Sequence, residues 1–250
     1  MILQNKKEKK FIRISIICVI ITLIITVIGI LILKYQVEGE TNMPFQLSKV
    51  MVISTAEGIR NEEAEMKWDM KVEQYNDIYL EIIKNKNYKQ TEIIDKIVLN
   101  NFKINKTPQI GNIVIYRPDV EENKTYSNSS DMIVDEELIY EGNEEADLKN
   151  LKIANQGGML LLRYSNENIA NYQSDEDTEI VHDGTLLKKT GINIEEIKFQ
   201  ISFDITIYLV SEKNYKGTIT LDLPVSDITE EGISHTEKKD CSDIIFKRQV

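Results

Sequence analysis

The chain of 250 residues sets 41 acidic against 30 basic side chains, a net charge of −11, with two histidines and two cysteines. An acidic balance of that size argues against nucleic acid as a partner, because phosphate would repel it. Cys18 inside an apolar run and Cys241 nine residues from the C-terminus exclude an internal disulfide and a thiolate metal site, so the fold must stand on its apolar core.

Residues 1–13 carry Lys6, Lys7, Lys9, Lys10 and Arg13 against Glu8, and an uncharged apolar run follows from Ile14 to Leu33. Those 20 residues span roughly 30 Å as a helix, about one hydrocarbon core. The run is longer than a secretory signal, and Lys34, Tyr35 and Gln36 follow it where a cleavage site would need small residues. A transmembrane helix at 14–33 is therefore expected, with a basic cytoplasmic segment at 1–13 and the rest of the chain outside. Residues 14–250 hold 25 basic and 40 acidic residues, a net of −15. Ser15, Cys18, Thr22, Thr26 and Gly29 recur every three or four positions and form a stripe of small side chains, which makes them candidates for packing against a second membrane helix. The alternative is that the hydroxyls bond carbonyls of their own helix.

Residues 34–48 read as a short polar tether. From 49 to 225 short apolar runs alternate with polar breaks in the period-two pattern of half-buried strands. KVMVIST comes first; KWDMKV and NDIYLEII follow, separated at 74–77 by a turn or a bulge. KIVLNNFKIN, NIVIYRP, ELIYEG and GGMLLLRYS continue the series to Ser165. FQISFDITIYLV places Phe199, Ile201, Phe203, Ile205, Ile207 and Leu209 on one face and polar residues on the other, predicting one buried and one wet face. With TITLDLPV across the seven-residue SEKNYKG connection it reads as an antiparallel hairpin, with Pro224 at an edge or strand end. DGTLLKKTG predicts a small helix, Asp183 capping it and Gly191 closing it. The fold class is mainly β: an N-terminal transmembrane helix followed by an antiparallel β-sandwich, one large or two small with a split within 119–150. Residues 226–250 read as a polar tail expected to fray.

No motif carries chemistry. His182 sits at the start of the small helix and His235 in the polar tail, and G-x-S-x-G, H-E-x-x-H, the P-loop and G-x-G-x-x-G are all missing from the sequence. Asp175, Asp177 and Glu179 alternate like calcium ligands, but Ile180 and Leu186 stand where an EF-hand needs Gly and Glu. Tyr75, Tyr79, Tyr116, Tyr126, Tyr140, Tyr164, Tyr172, Tyr208 and Tyr215 are spread through the exterior part, several on polar sides of strands, where they serve either a stacking platform or β-propensity. No catalytic, metal or cofactor residue is nominated, and no cofactor is implied.

The Ile/Lys/Asn-rich composition, the basic N-terminus and single anchor, the KWDMKVEQYNDIYLEIIKNKNYKQT segment and the FDITIYLVSEKNYKGTITLDLPV hairpin resemble uncharacterised single-pass membrane proteins of low-GC Gram-positive bacteria. That resemblance implies location and fold and transfers no site residue. The expected function is that of a membrane-anchored extracytoplasmic binding or accessory protein of the cell envelope, contacting the lipid bilayer through 14–33 and an envelope protein or a second copy of itself. An anchored envelope hydrolase using paired carboxylates is the alternative.

Overall fold

The apolar run is the middle of a helix longer than a bilayer requires. In the computed structural model, which describes residues 2–41, 43–63, 68–118, 137–142, 151–175, 185–238, 241 and 243–249, α1 spans Ile2–Thr41. Its segment Ile12–Ile32 is long and apolar enough to cross a membrane, and none of it is buried in the protein. The expected tether at 34–48 is replaced by regular structure: the helix runs to Thr41 and strand β1 (Phe45–Arg60) starts four residues later. A nucleated helix adds a hydrogen bond with each further residue, which carries it beyond the apolar run. The strand start is fixed by burial of Met43, Phe45 and Leu47 and by Asn85, whose Nδ2 and backbone N–H donate to the carbonyls of Met43 and Pro44, each at 2.8 Å.

The remaining strands are β2 (Trp68–Lys84), β3 (Ile94–Lys106), β4 (Asn112–Tyr116), β5 (Leu138–Glu141), β6 (Leu151–Lys152), β7 (Gly157–Ser174), β8 (Phe199–Leu209), β9 (Asn214–Leu223), β10 (Ile233–Lys238) and β11 (Lys247–Gln249). They form a five-stranded sheet in the order β10-β1-β2-β7-β4 and a six-stranded sheet in the order β11-β9-β8-β3-β5-β6. Only β5 and β6 pair in parallel among the described strands. KWDMKV and NDIYLEII fuse into β2, with the break between them resolved as a bulge at 72–74. The hairpin of β8 and β9 forms, but its connection shortens to 210–213 because Asn214–Gly217 pair with Ile205–Tyr208. The polar face expected to be wet on β8 is buried at Ser202, Asp204 and Thr206. Asp204 is compensated there by Lys216 at 2.8 Å, Thr218 at 2.6 Å and Asn101 at 2.9 Å, as a buried carboxylate requires. Pro224 follows the last residue of β9, at the strand end its missing N–H demands.

The sheets face each other across one apolar layer, with Val50, Val52, Ile78, Leu80 and Leu160 from one side and Ile97, Leu99, Phe203, Ile205 and Ile219 from the other. Phe102 of β3 crosses the interface to lie edge-on to Tyr164 of β7. Each such apolar side chain contributes about 1.5–3 kcal/mol on burial. A second, smaller cluster of Met70, Val72, Ile169, Leu187, Ile197 and Ile228 packs the far ends of β2 and β7 against two short helices. α2 (Leu186–Thr190) is the expected helix, closed by Gly191 in the left-handed conformation; its flanking residue is Thr185, and Asp183 lies outside the described residues. α3 (Ile194–Ile197) was not expected: Asn193 and Glu196 form its capping box.

The tail at 226–250 is corrected as well. β10 adds to β1 at one edge, β11 adds to β9 at another, and Ile228, Cys241 and Phe246 are buried. These apolar residues are too widely spaced among charges to produce a period, yet each fills a place in a preformed core.

Candidate functional site

Alternation along the five-stranded sheet decides which side chains leave the core. Where Ile78, Leu80 and Ile82 of β2 point inward, Tyr75, Asp77, Tyr79 and Glu81 point away from the other sheet. Antiparallel register then brings outward residues of five strands into rows. One row reads His235, Ile53, Asp77, Arg163, Tyr116, and its neighbour reads Ile233, Thr55, Tyr75, Ser165, Val114.

Arg163 organises the centre of this face. Its Nε and a terminal nitrogen donate to the two oxygens of Asp77 at 2.6 and 3.0 Å, a bidentate pair with both side chains largely buried. Its guanidinium carbon lies 4.4 Å from the ring centre of Tyr75, a cation–π contact. The Tyr75 hydroxyl donates to Glu73 at 2.6 Å, and the Tyr116 hydroxyl donates to Glu167. Two carboxylates, two phenols and an ion pair thus form one connected surface on β2, β4 and β7.

Burial pushes the Glu73 carboxyl above the usual carboxylate range, against the hydrogen bond from Tyr75, and the charge of Glu167 adds to the rise. The hydroxyls of Tyr75 and Tyr116 are pushed well up, first by burial and then by their carboxylate partners, so both stay protonated donors. Glu57, Glu73, Asp77, Glu81, Glu167 and Glu237 outnumber Lys49, Lys71 and Arg163 on this side of the sheet, so the face is acidic. It offers oxygen acceptors beside aromatic rings.

Of the nine tyrosines marked in the sequence, Tyr75, Tyr79 and Tyr116 meet here. Tyr140, Tyr164 and Tyr215 are core residues, and Tyr126 lies outside the described residues. Asp77 and Tyr79 were legible from alternation. Arg163, Glu73 and Glu167 were not, since their placement depends on pairing between strands far apart in sequence.

The small-residue stripe of α1 is arranged differently from a polar contact surface. Thr22 donates to the Cys18 carbonyl and Thr26 to the Thr22 carbonyl, each at 2.9 Å, which absorbs their polarity within the helix. Around Gly29 the space is open, and a methyl group added there would meet nothing within 4 Å. Ser15 completes the stripe one turn before Cys18. Among the described residues no three His, Cys, Asp or Glu side chains are grouped to hold a metal ion; of the acidic loop, only Asp175 is described, and Asp177, Glu179 and His182 are not. His235 is exposed on β10.

Two further places bear on function. Ser54, Gln74 and Asn76 are fully buried between the two apolar clusters, linked by Ser54 to Asn76 at 2.8 Å and Gln74 to Asn76 at 3.3 Å, and Asn76 donates to the Tyr164 carbonyl of β7 at 3.1 Å. Such a network fixes the register of β1, β2 and β7. An open cleft of about 270 Å³ lies where β2 ends beside the start of β7, lined by Ile82, Ile83, Lys84, Gly157 and Met159. Among the described residues that line it, Glu81 is the one carboxylate, whereas glycoside hydrolysis uses two. Comparison of the chain with protein-family models, with curated proteins and with solved structures returned no match.

Proposed function

We propose that the chain is a single-pass membrane protein of the cell envelope whose β-sandwich, outside the membrane, binds another envelope component on the acidic, tyrosine-bearing face of the five-stranded sheet. The carrying observation is that face: an Arg163–Asp77 pair clamped against Tyr75, flanked by carboxylates of which Glu73 is shifted upward by burial. Core stability does not call for such an arrangement, and it suits a partner rich in hydroxyl, amide or cationic donors. Lys6, Lys7, Lys9, Lys10 and Arg13 favour a cytoplasmic N-terminus. The resemblance to single-pass proteins of low-GC Gram-positive bacteria points to the same setting. An accessory subunit is one form of this role, and in it the stripe of Ser15, Cys18, Thr22, Thr26 and Gly29 is where a second helix would pack. The net of −15 beyond residue 13 leaves nucleic acid a poor partner.

The test is photo-crosslinking of the full chain in its own membranes from a reactive side chain at Ile53, beside Asp77. A discrete adduct is expected, weakened at least about tenfold by Tyr79→Ala or Arg163→Gln, as for Tyr and Arg anchors. The same adducts in wild type and both variants would remove this face from the binding role.

A further inference from the structure

We infer that the end of the sandwich nearest α1 is a docking rim that rests on anionic headgroups of the bilayer, an inference that depends on α1 spanning that bilayer. Three connections gather around the helix–strand junction. The β2–β3 loop holds the junction through Asn85. The β6–β7 turn joins it, with Asn155 accepting from Ile94 N–H at 3.0 Å. The β8–β9 turn follows, with Val210 N–H donating to Ile93 at 3.0 Å. β11 closes the group, since Gln249 pairs with Asn214 and the strand lies against α1.

The charge of this end opposes that of the molecule. Residues 84–94, 210–214 and 247–249 carry six basic side chains against Glu92 and Glu212, a net of +4; the helix end at 34–41, with Lys34 against Glu38 and Glu40, lowers it to +3 within a chain of −11. Lys86, Lys89 and Lys247 are exposed, while Lys213 is committed to Glu92 at 2.7 Å. The same end displays apolar side chains where water would disfavour them: Val210 is 62% exposed, Ile93 39% and Ile83 36%. Lysines around exposed β-branched residues match an interface with charged headgroups over hydrocarbon.

The junction supplies the right height. Thr41 lies nine helical steps beyond Ile32, a rise of about 13 Å, whereas a headgroup layer is about 5–8 Å deep on each side. A modest helix tilt and the reach of a lysine close the difference. With only three residues between Thr41 and Phe45, the sandwich is kept close to the end of the helix.

The full chain, with Cys18→Ser, Cys241→Ala and a fluorophore at Val210→Cys or at Ser226→Cys on the opposite end, would be reconstituted into phosphatidylcholine vesicles with or without phosphatidylglycerol, each carrying a headgroup-attached quencher. The label at 210 should be quenched more strongly than that at 226, more so with phosphatidylglycerol, and less at high salt. Lys84→Gln, Lys86→Gln and Lys89→Gln should each lower the docked-to-undocked ratio about fivefold. Equal quenching at the two positions, or none that follows the anionic lipid, would overturn the rim while leaving the anchor intact. Quenching that tracks protein density rather than lipid would assign the patch to a second copy and overturn it equally. Release of the chain by alkaline carbonate would overturn the anchor, and the rim with it.

Discussion

Glu73 is the residue whose environment is hardest to reconcile with stability alone. Burial raises its carboxyl, so the folded chain binds a proton more readily there than the unfolded chain does. Stability therefore falls as pH climbs from the ordinary carboxylate value through the raised one, and the penalty is complete above it. Glu73→Gln should keep a hydrogen-bond acceptor for Tyr75 and remove the penalty. The expected result is a higher Tm at neutral pH, by about 2–4 °C for each kcal/mol recovered, that vanishes below the ordinary carboxylate range. Thermal unfolding of the full chain in detergent at several pH values measures it, and a lower Tm at neutral pH would contradict it. The sequence disclosed part of this site. Period two separated Asp77 and Tyr79 from the core, but Arg163 reaches Asp77 across 86 residues, and no local pattern encodes such a pairing.

Among the elements, the C-terminal segment departs most from its sequence. Phe246 is buried against Gly217 of β9, where an added methyl would stand 3.3 Å from the ring, so glycine makes the seat and phenylalanine fills it. Phe246→Ala should cost about 3–5 kcal/mol. Denaturant unfolding of the full chain would show this as a lower midpoint with little change in slope; a shift below about 0.5 kcal/mol would return the segment to the status of a tail. The strands of the interior were legible because each repeats its apolar period several times. β10 and β11 were not, because six and three residues carry too few repeats to stand out from charged surroundings.

For the whole molecule, the decisive element is the passage from helix to strand. A mainly β chain behind one apolar helix followed from composition and alternation, whereas a helix that runs to Thr41 and a strand that starts at Phe45 did not, since residues 34–48 have the composition of a linker. Core contacts of Met43, Phe45 and Leu47 override it. Insertion of a flexible Gly-Ser segment after Thr41 should leave unfolding stability within about 0.5 kcal/mol, because it adds only surface loop. It should nevertheless weaken quenching of a label at Val210, since the rim would lose the high local concentration that a short connection imposes. Equal quenching with and without the insertion would mean that the junction does not position the domain.

The same junction decides how the protein would bear tension. β1 leaves the sandwich toward the helix with β10 on one side and β2 on the other, and its pairing with β2 runs from Phe45 to Arg60. A pull between the membrane and a partner held on the face of that sheet acts largely along that strand, perpendicular to its hydrogen bonds. The bonds are then sheared together and cannot be peeled apart one by one, so the strand that joins anchor to domain is also its mechanical clamp.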